Sequence, residues 1–161
     1  MALRTLLSIL SIGFMMTSCG ESAADDAAAL DAYYEAFSAA YEAGEFDALR
    51  DLYEPDVWVM SHDRPARRGV DEVIAYYKAT RRPGASASMK ITVEDRVIDG
   101  DVAFQTALWR LELPGAVDRA PLDAGRSFVV FKKGTDEKWR VWRHVDNQTP
   151  DAPVAGESAS P

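Results

Sequence analysis

Cysteine is almost missing from this chain. Cys19 is the single one in 161 residues, which excludes an internal disulfide, a cysteine metal site and, within the part able to fold, a thiol nucleophile. Histidine is nearly as scarce. His62 and His144 are the two present, and with no HExxH pattern and no clustered carboxylates the sequence calls for no metal. No glycine-rich phosphate loop appears, so no cofactor is expected. Basic side chains are the minority sign, 18 against 26 acidic residues for a net charge of −8. That balance argues against nucleic acid as a partner and against electrostatic adhesion to an anionic membrane. Long apolar runs are lacking too. The one run, Leu6 to Met16, is too short for a stable membrane span.

What that run does supply is an address. Residues 1–19 combine Arg4, the apolar run and small polar residues before Cys19, the layout of a secretory signal. Met16-Thr17-Ser18-Cys19 resembles a bacterial lipobox, with Met16 where Leu is usual. The resemblance implies export, lipidation of Cys19 and anchoring in a membrane through the acyl chains. Gly20 after the cysteine implies the periplasmic face of the outer membrane. The alternative, an ordinary signal cut near Ser18 or Gly20, exports the protein equally.

Residues 20–29 read as a short tether that runs into a helix near Asp25 and Asp26, whose carboxylates suit a helix N-terminus. Leu30, Tyr33, Tyr34, Phe37 and Tyr41 then recur at helical spacing, and the helix stops at Gly44. A short second helix through Phe46, Leu49 and Tyr53 follows, and Pro55 turns the chain into a strand, Val57 to Met60. The loop Ser61 to Gly69 gathers His62, Asp63, Arg64, Arg67 and Arg68, with a third helix after it carrying Val70, Val73, Ile74 and Tyr77. From Met89 the period changes to alternation. A strand to Ile98, the Asp99-Gly100 turn and a long strand from Val102 to Leu113 come first. A polar connection from Pro114 to Gly125 leads to a last hairpin, Arg126 to Lys133 and Trp139 to Val145. Residues 148–161 have the composition of a disordered tail.

This order predicts an α+β domain over residues 30–147, in which a curved antiparallel sheet of about four to six strands wraps around three N-terminal helices. The segments FSAAYEAGEFDALRDLYEPDVWVM, RRGVDEVIAYYK, VIDGDVAFQTALWRL, GRSFVVFKK and WRVWRHVDN resemble a SnoaL-like domain of the nuclear transport factor 2 and ketosteroid isomerase superfamily. The resemblance implies a cone with an internal cavity. It does not imply one activity, because the fold hosts isomerases, hydratases, cyclases and proteins without chemistry. The three functional positions of the isomerase fall on Phe37, Ser61 and Phe128, and none of these carries the expected group. Ketosteroid isomerase chemistry itself is therefore not expected.

The pocket candidates are aromatic and drawn from every element. They are Tyr33, Phe37 and Tyr41 of the first helix, Trp58 and Met60 of the first strand, Tyr77 of the third helix, Phe104 and Trp109 of the long strand, and Phe128 and Trp142 of the last hairpin. A one-residue error of face would exchange every second strand name. Such walls suit a small, largely apolar molecule, and equally a filled core. If there is chemistry, His62, His144 and Tyr41 are its candidates, an imidazole as acid or base and a phenol as donor, in a proton-transfer or hydrolytic reaction. Arg126 and Arg143 are candidates for holding a ligand carboxylate. Asp146 and Asn147 resemble the residues that close the family's last strand and bond loop backbone. A third reading makes the domain a non-catalytic module that forms a homodimer through the outer face of its sheet.

Overall fold

The computed structural model describes residues 23–62, 64–80, 87–113, 121 and 123–149. The signal region with Cys19, Asp63, the Arg81-Arg82 helix end, most of the Pro114–Gly125 connection and nearly all of the tail lie outside them. Helix α1 spans Ala23–Ala43, so the segment expected as tether is already helical from Ala23. Alanine has the best helix propensity, and Asp26 in the first turn is held from across the domain: Trp139 Nε1 donates to it at 2.9 Å and Lys133 Nζ lies 2.9 Å away. Leu30, Tyr33 and Phe37 form the buried stripe. At Gly44 the backbone turns left-handed, with φ of 73°, and the Glu45 N–H donates to the Ala40 carbonyl at 2.9 Å, a glycine C-cap.

The next helix, Phe46–Leu52, is 3-10 rather than α. Its buried residues, Phe46 and Leu49, are three apart, the spacing that eclipses side chains in a three-residue turn. Strand β1, Tyr53–Met60, begins four residues before the expected Val57 and runs through Pro55. Proline is tolerated there because the pairing of β1 slips between Tyr53 and Trp58. The two-residue β2, Arg67–Arg68, and helix α2, Val70–Thr80, follow. The long strands are β3 (Ser88–Asp99), β4 (Val102–Glu112), β5 (Asp123–Lys133) and β6 (Trp139–Gln148). Gln148, expected in the tail, is thus in the sheet.

One six-stranded sheet results, in the order β2-β1-β6-β5-β4-β3. It is antiparallel except where β1 runs parallel to β6. Register shifts in β3 between Val93 and Asp95 and in β6 opposite Val130 and Phe131 bend the strands, as bulges do, and the sheet curves over the helices without closing. The core of Leu30, Leu49, Val57, Val73, Ile74, Phe131 and Val141 fills the narrow end of the cone. Arg96 of β3 ties that end to α1, donating to the Ala27 carbonyl at 2.8 Å, to Asp31 at 2.6 Å and to Gln105 at 2.7 Å.

Candidate functional site

Toward its wide end the cone is not filled. Helices and sheet line a half-open cavity of about 680 Å³. Tyr33, Phe37 and Tyr41 of α1 and Tyr77 of α2 form one wall, and Met89, Ile91, Trp109 and Leu111 of β3 and β4 the other. Exposed His62, Arg64 and Thr80 stand at its mouth. Strand parity explains which side chains enter. On β4 the buried set is Ala103, Gln105 and Ala107, so Trp109 and Leu111 continue inward. On β5 Ser127, Val129 and Phe131 are buried.

Five expected lining residues lie elsewhere. Trp58 and Met60 alternate with inward Val57 and Val59 and so face outward. Phe104 and Phe128 sit on the outer face, 40% and 46% exposed, their rings stacked 6.3 Å apart. Trp142 is also outside, with Lys132 Nζ 3.5 Å from its ring centre. Its case has a separate cause. In β6 the partners of Phe131 and Val130 are Val141 and Arg143, which leaves Trp142 as an extra residue. That bulge puts Trp142 outside and, two positions on, His144 inside. The carboxylate role expected for Arg126 and Arg143 also falls on the outer face: Arg126 pairs with Glu94 at 3.2 Å, and Arg143 lies over Trp58 and Trp142 and donates to the Asp56 carbonyl at 3.1 Å.

The cavity's polar groups gather where β1, β6 and the helices meet. β6 delivers His144 and Asp146, two residues apart on one strand face, and Ser61, the residue after β1, stands beside them. Ser61 Oγ donates to Asp146 Oδ2 at 2.9 Å, and Arg67 donates to Ser61 Oγ at 3.3 Å. Asp146 therefore works inside the cavity rather than on loop backbone. His144 Nε2 is fully covered, makes no hydrogen bond and lies 3.9 Å from Asp146 Oδ2. Burial pushes the imidazole below its ordinary value, opposed by the Asp146 charge, so the ring is neutral at neutral pH. Beside this pair the hydroxyls of Tyr53 and Tyr77 are 3.1 Å apart. Burial pushes Tyr33, Tyr53 and Tyr77 well above the ordinary phenol range, which keeps them neutral donors. Tyr41 lines the wall, its ring centre 6.1 Å from that of Tyr77.

The isomerase positions can now be placed. Phe37 is in the cavity wall, Ser61 is in the polar corner, and Phe128 is outside, its inward neighbours being Ser127 and Val129. The carboxyl that does enter the cavity is Asp146. Together with Tyr53 it is a site residue that the sequence pattern does not place in the pocket, although the His-x-Asp spacing on a strand carries the signal; Ser61 is there at the isomerase's base position.

A family model described as a SnoaL-like domain matches residues 30–144. No curated protein matches the chain. Among solved structures, it is similar to an NTF2-like protein of unknown function from Shewanella oneidensis, at 18% identity and TM-score 0.64 over 76% of this chain and 98% of that one. A ketosteroid isomerase-like protein from Erwinia carotovora atroseptica matches at 20% identity and TM-score 0.61, over 76% and 96%. A protein of unknown function from Mycobacterium tuberculosis matches at 18% identity and TM-score 0.68, over 84% and 80%. Identities this low carry the fold alone.

Proposed function

From the premise that this chain belongs to the SnoaL-like domain family, whose fold is that of NTF2-like and ketosteroid isomerase-like proteins, we propose that it binds a small, largely apolar molecule in its aromatic cavity. The observation that carries the reading is the cavity itself: about 680 Å³ with aromatic and aliphatic side chains of α1, α2, β3 and β4 on its walls and polar ones on the β5 and β6 side and at the mouth, the usual mixture of a small-molecule site. The test is a thermal-shift and tryptophan-fluorescence screen of ring ketones, aromatic acids, fatty acids and terpenoids. A ligand of the folded state at a hundred times its dissociation constant adds about 2.7 kcal/mol. Trp109 is in the wall, so its emission should move as well. No shift with any compound would sink the reading.

A catalytic version is favoured by one arrangement, the neutral His144 next to Asp146 and the tyrosine hydroxyls. In this version His144 takes a proton from a bound substrate, Asp146 steadies the imidazolium, and a phenol such as Tyr41 or Tyr77 donates to the developing oxygen anion. The outcome is an isomerisation when the proton is returned to another atom of the substrate, and a hydrolysis when His144 instead takes it from a water that attacks a substrate carbonyl and passes it to the departing group. His62 stands exposed at the mouth, away from the corner that holds His144, Asp146 and the tyrosine hydroxyls, and is the weaker candidate for that reason. Turnover of a binding compound that vanishes in His144→Gln and survives in His62→Gln is the expected result.

The setting we propose is the periplasmic face of the outer membrane, with lipid on Cys19. Its support is the signal-like N-terminus; among the described residues no helix is long and apolar enough to cross a membrane. Palmitate labelling lost in Cys19→Ser is the check. We also propose that a second copy covers the outer sheet face. Val97, Phe104, Phe128 and Val145 are 40–53% exposed there. Glu94 and Asp95 flank them on the β3 side and Lys132 and Arg143 on the β6 side, so a two-fold axis along the strands brings acid against base.

A further inference from the structure

Arginines in this domain follow a rule with a localised exception. Arg50, Arg96, Arg110, Arg126, Arg140 and Arg143 each lie 2.5–3.9 Å from a carboxylate, as expected where acidic residues outnumber basic ones 26 to 18. The guanidinium groups of the remaining arginines among the described residues, Arg64, Arg67 and Arg68, pair with none, although the Arg68 main-chain N–H donates to Glu72 at 2.8 Å. All three stand in or beside the loop at the cavity mouth. Arg68 is turned away, over the outer Trp58 ring at 4.1 Å. Tyr76 gathers the other two: the Arg67 guanidinium sits 3.5 Å from its ring centre and that of Arg64 5.7 Å away, and Arg67 reaches the cavity's edge through its hydrogen bond to Ser61 Oγ at 3.3 Å. Tyr76 and Arg64 both line the cavity.

A guanidinium stacked on a ring keeps its edge N–H groups pointing sideways, where they can take a planar anion in bidentate fashion. Of the cavity's own carboxylates, Asp123 accepts from Gln148 and from the Ala124 N–H, and Asp146 faces Arg67 only through Ser61. Neither satisfies the two arginines, and an apolar interior lies directly behind them.

We propose that the cavity ligand is an amphipathic carboxylic acid, its ring or chain among Tyr33, Phe37, Tyr41 and Trp109 and its carboxylate at the mouth on Arg64 and Arg67. The proposal rests on the cavity-binding reading and names its ligand class. It also assigns the carboxylate role, expected of Arg126 and Arg143, to two arginines whose side chains meet no carboxylate.

The experiment is calorimetric titration of the full chain at pH 7 with 2-naphthoate, cinnamate and 1-adamantanecarboxylate, each beside its neutral carboxamide. Such acids are fully ionised at this pH, so each pair differs in charge and not in shape. The expected result is that at least one acid binds tighter than its amide by about tenfold or more, and that Arg64→Gln with Arg67→Gln removes this preference while leaving amide affinity in place. Arg64→Lys with Arg67→Lys should keep part of it, since charge remains and the fork is lost. Should the double variant fail to fold, Arg64→Gln alone, at an exposed position, reports the same preference. Amides binding as tightly as acids, or an acid preference that outlives the arginines, would overturn the proposal and leave the cavity reading standing. If neither member of any pair binds, the cavity reading falls and this proposal with it.

Discussion

At the scale of single residues, two buried titratable groups give the fold two separable pH responses. Asp26 is held below its ordinary 3.8, first by the hydrogen bond from Lys133 and then by that from Trp139, against the opposing effect of burial. Because the native value is depressed, its contribution is complete above 3.8 and is lost as pH falls through the folded value. Asp26→Asn removes the buried carboxylate from Lys133 and leaves Glu137, 3.1 Å away, as its acid partner, and we expect a loss of roughly 1–3 kcal/mol at pH 7. Urea denaturation measures it, and the gap to the parent protein should narrow below pH 3.8, where the parent loses the same charge. His144 responds in a higher window. Its native value is lowered from 6.5 by burial, so below pH 6.5 the unfolded chain takes up the proton first and stability falls until the folded value is reached. Removing the imidazole in His144→Gln should flatten the stability curve there. An unchanged slope would mean that the ring titrates in the native state as it does in water.

Among the elements, the helices were the more legible in sequence and the strand faces the less. Three-and-four spacing selects Leu30, Tyr33, Tyr34, Phe37 and Tyr41, of which Leu30, Tyr33 and Phe37 are buried and Tyr34 and Tyr41 half-buried, and Gly44 stops the helix where expected. Strands depend on a period of two, and one extra residue inverts every later side chain. The bulge at Trp142 is such a residue. Plain alternation puts Trp142 and His144 on one face; the structure divides them, and nothing local in Trp-Arg-Val-Trp-Arg-His announces the slip. Phe104 and Phe128 misled for a different reason. Aromatics on a two-sided strand satisfy either face, and the buried choice went to Ala103, Ala107 and Ser127, small residues that leave room for the cavity. Gly125 belongs to the same economy of space. A Cβ there would lie 1.9 Å from the Asn147 carbonyl oxygen and 2.5 Å from the Trp109 ring, so β5 carries glycine because Trp109 lies across it. Gly125→Ala cannot be absorbed by a rotamer change, since one of the clashes is with backbone. It should cost about 1–3 kcal/mol and shift Trp109 emission, read by urea denaturation and steady-state fluorescence. A stable variant with unaltered emission would show that Trp109 does not pack against β5.

For the molecule as a whole, the sheet works on both faces, and its outer one sets the last expectation. Inside, it carries the cavity and the polar corner. Outside, Val145 of β6 is paired with Phe128 of β5, and Val130 of β5 with Phe104 of β4, which is paired in turn with Val97 of β3. The patch thus crosses four strands without a gap, and monomers seldom expose one of that kind. In the dimer we propose, a second copy related by a two-fold axis along the strands would bury both patches at once and bring the acidic β3 side, with Glu94 and Asp95, over the basic β6 side of the other. Stability then depends on concentration, since the dimer alone buries the patch. The melting temperature should rise with protein concentration, and sedimentation should give twice the mass of the single chain. Phe128→Glu places a charge in the middle of the patch and forces two of them together across the axis. It should give a monomer whose circular dichroism is unchanged and whose melting temperature no longer depends on concentration. A melting temperature independent of concentration in the parent protein would mean that the patch meets something other than this chain. The cavity opens between helices and sheet rather than through the outer face, so ligand affinity should be the same in the Phe128→Glu monomer as in the dimer.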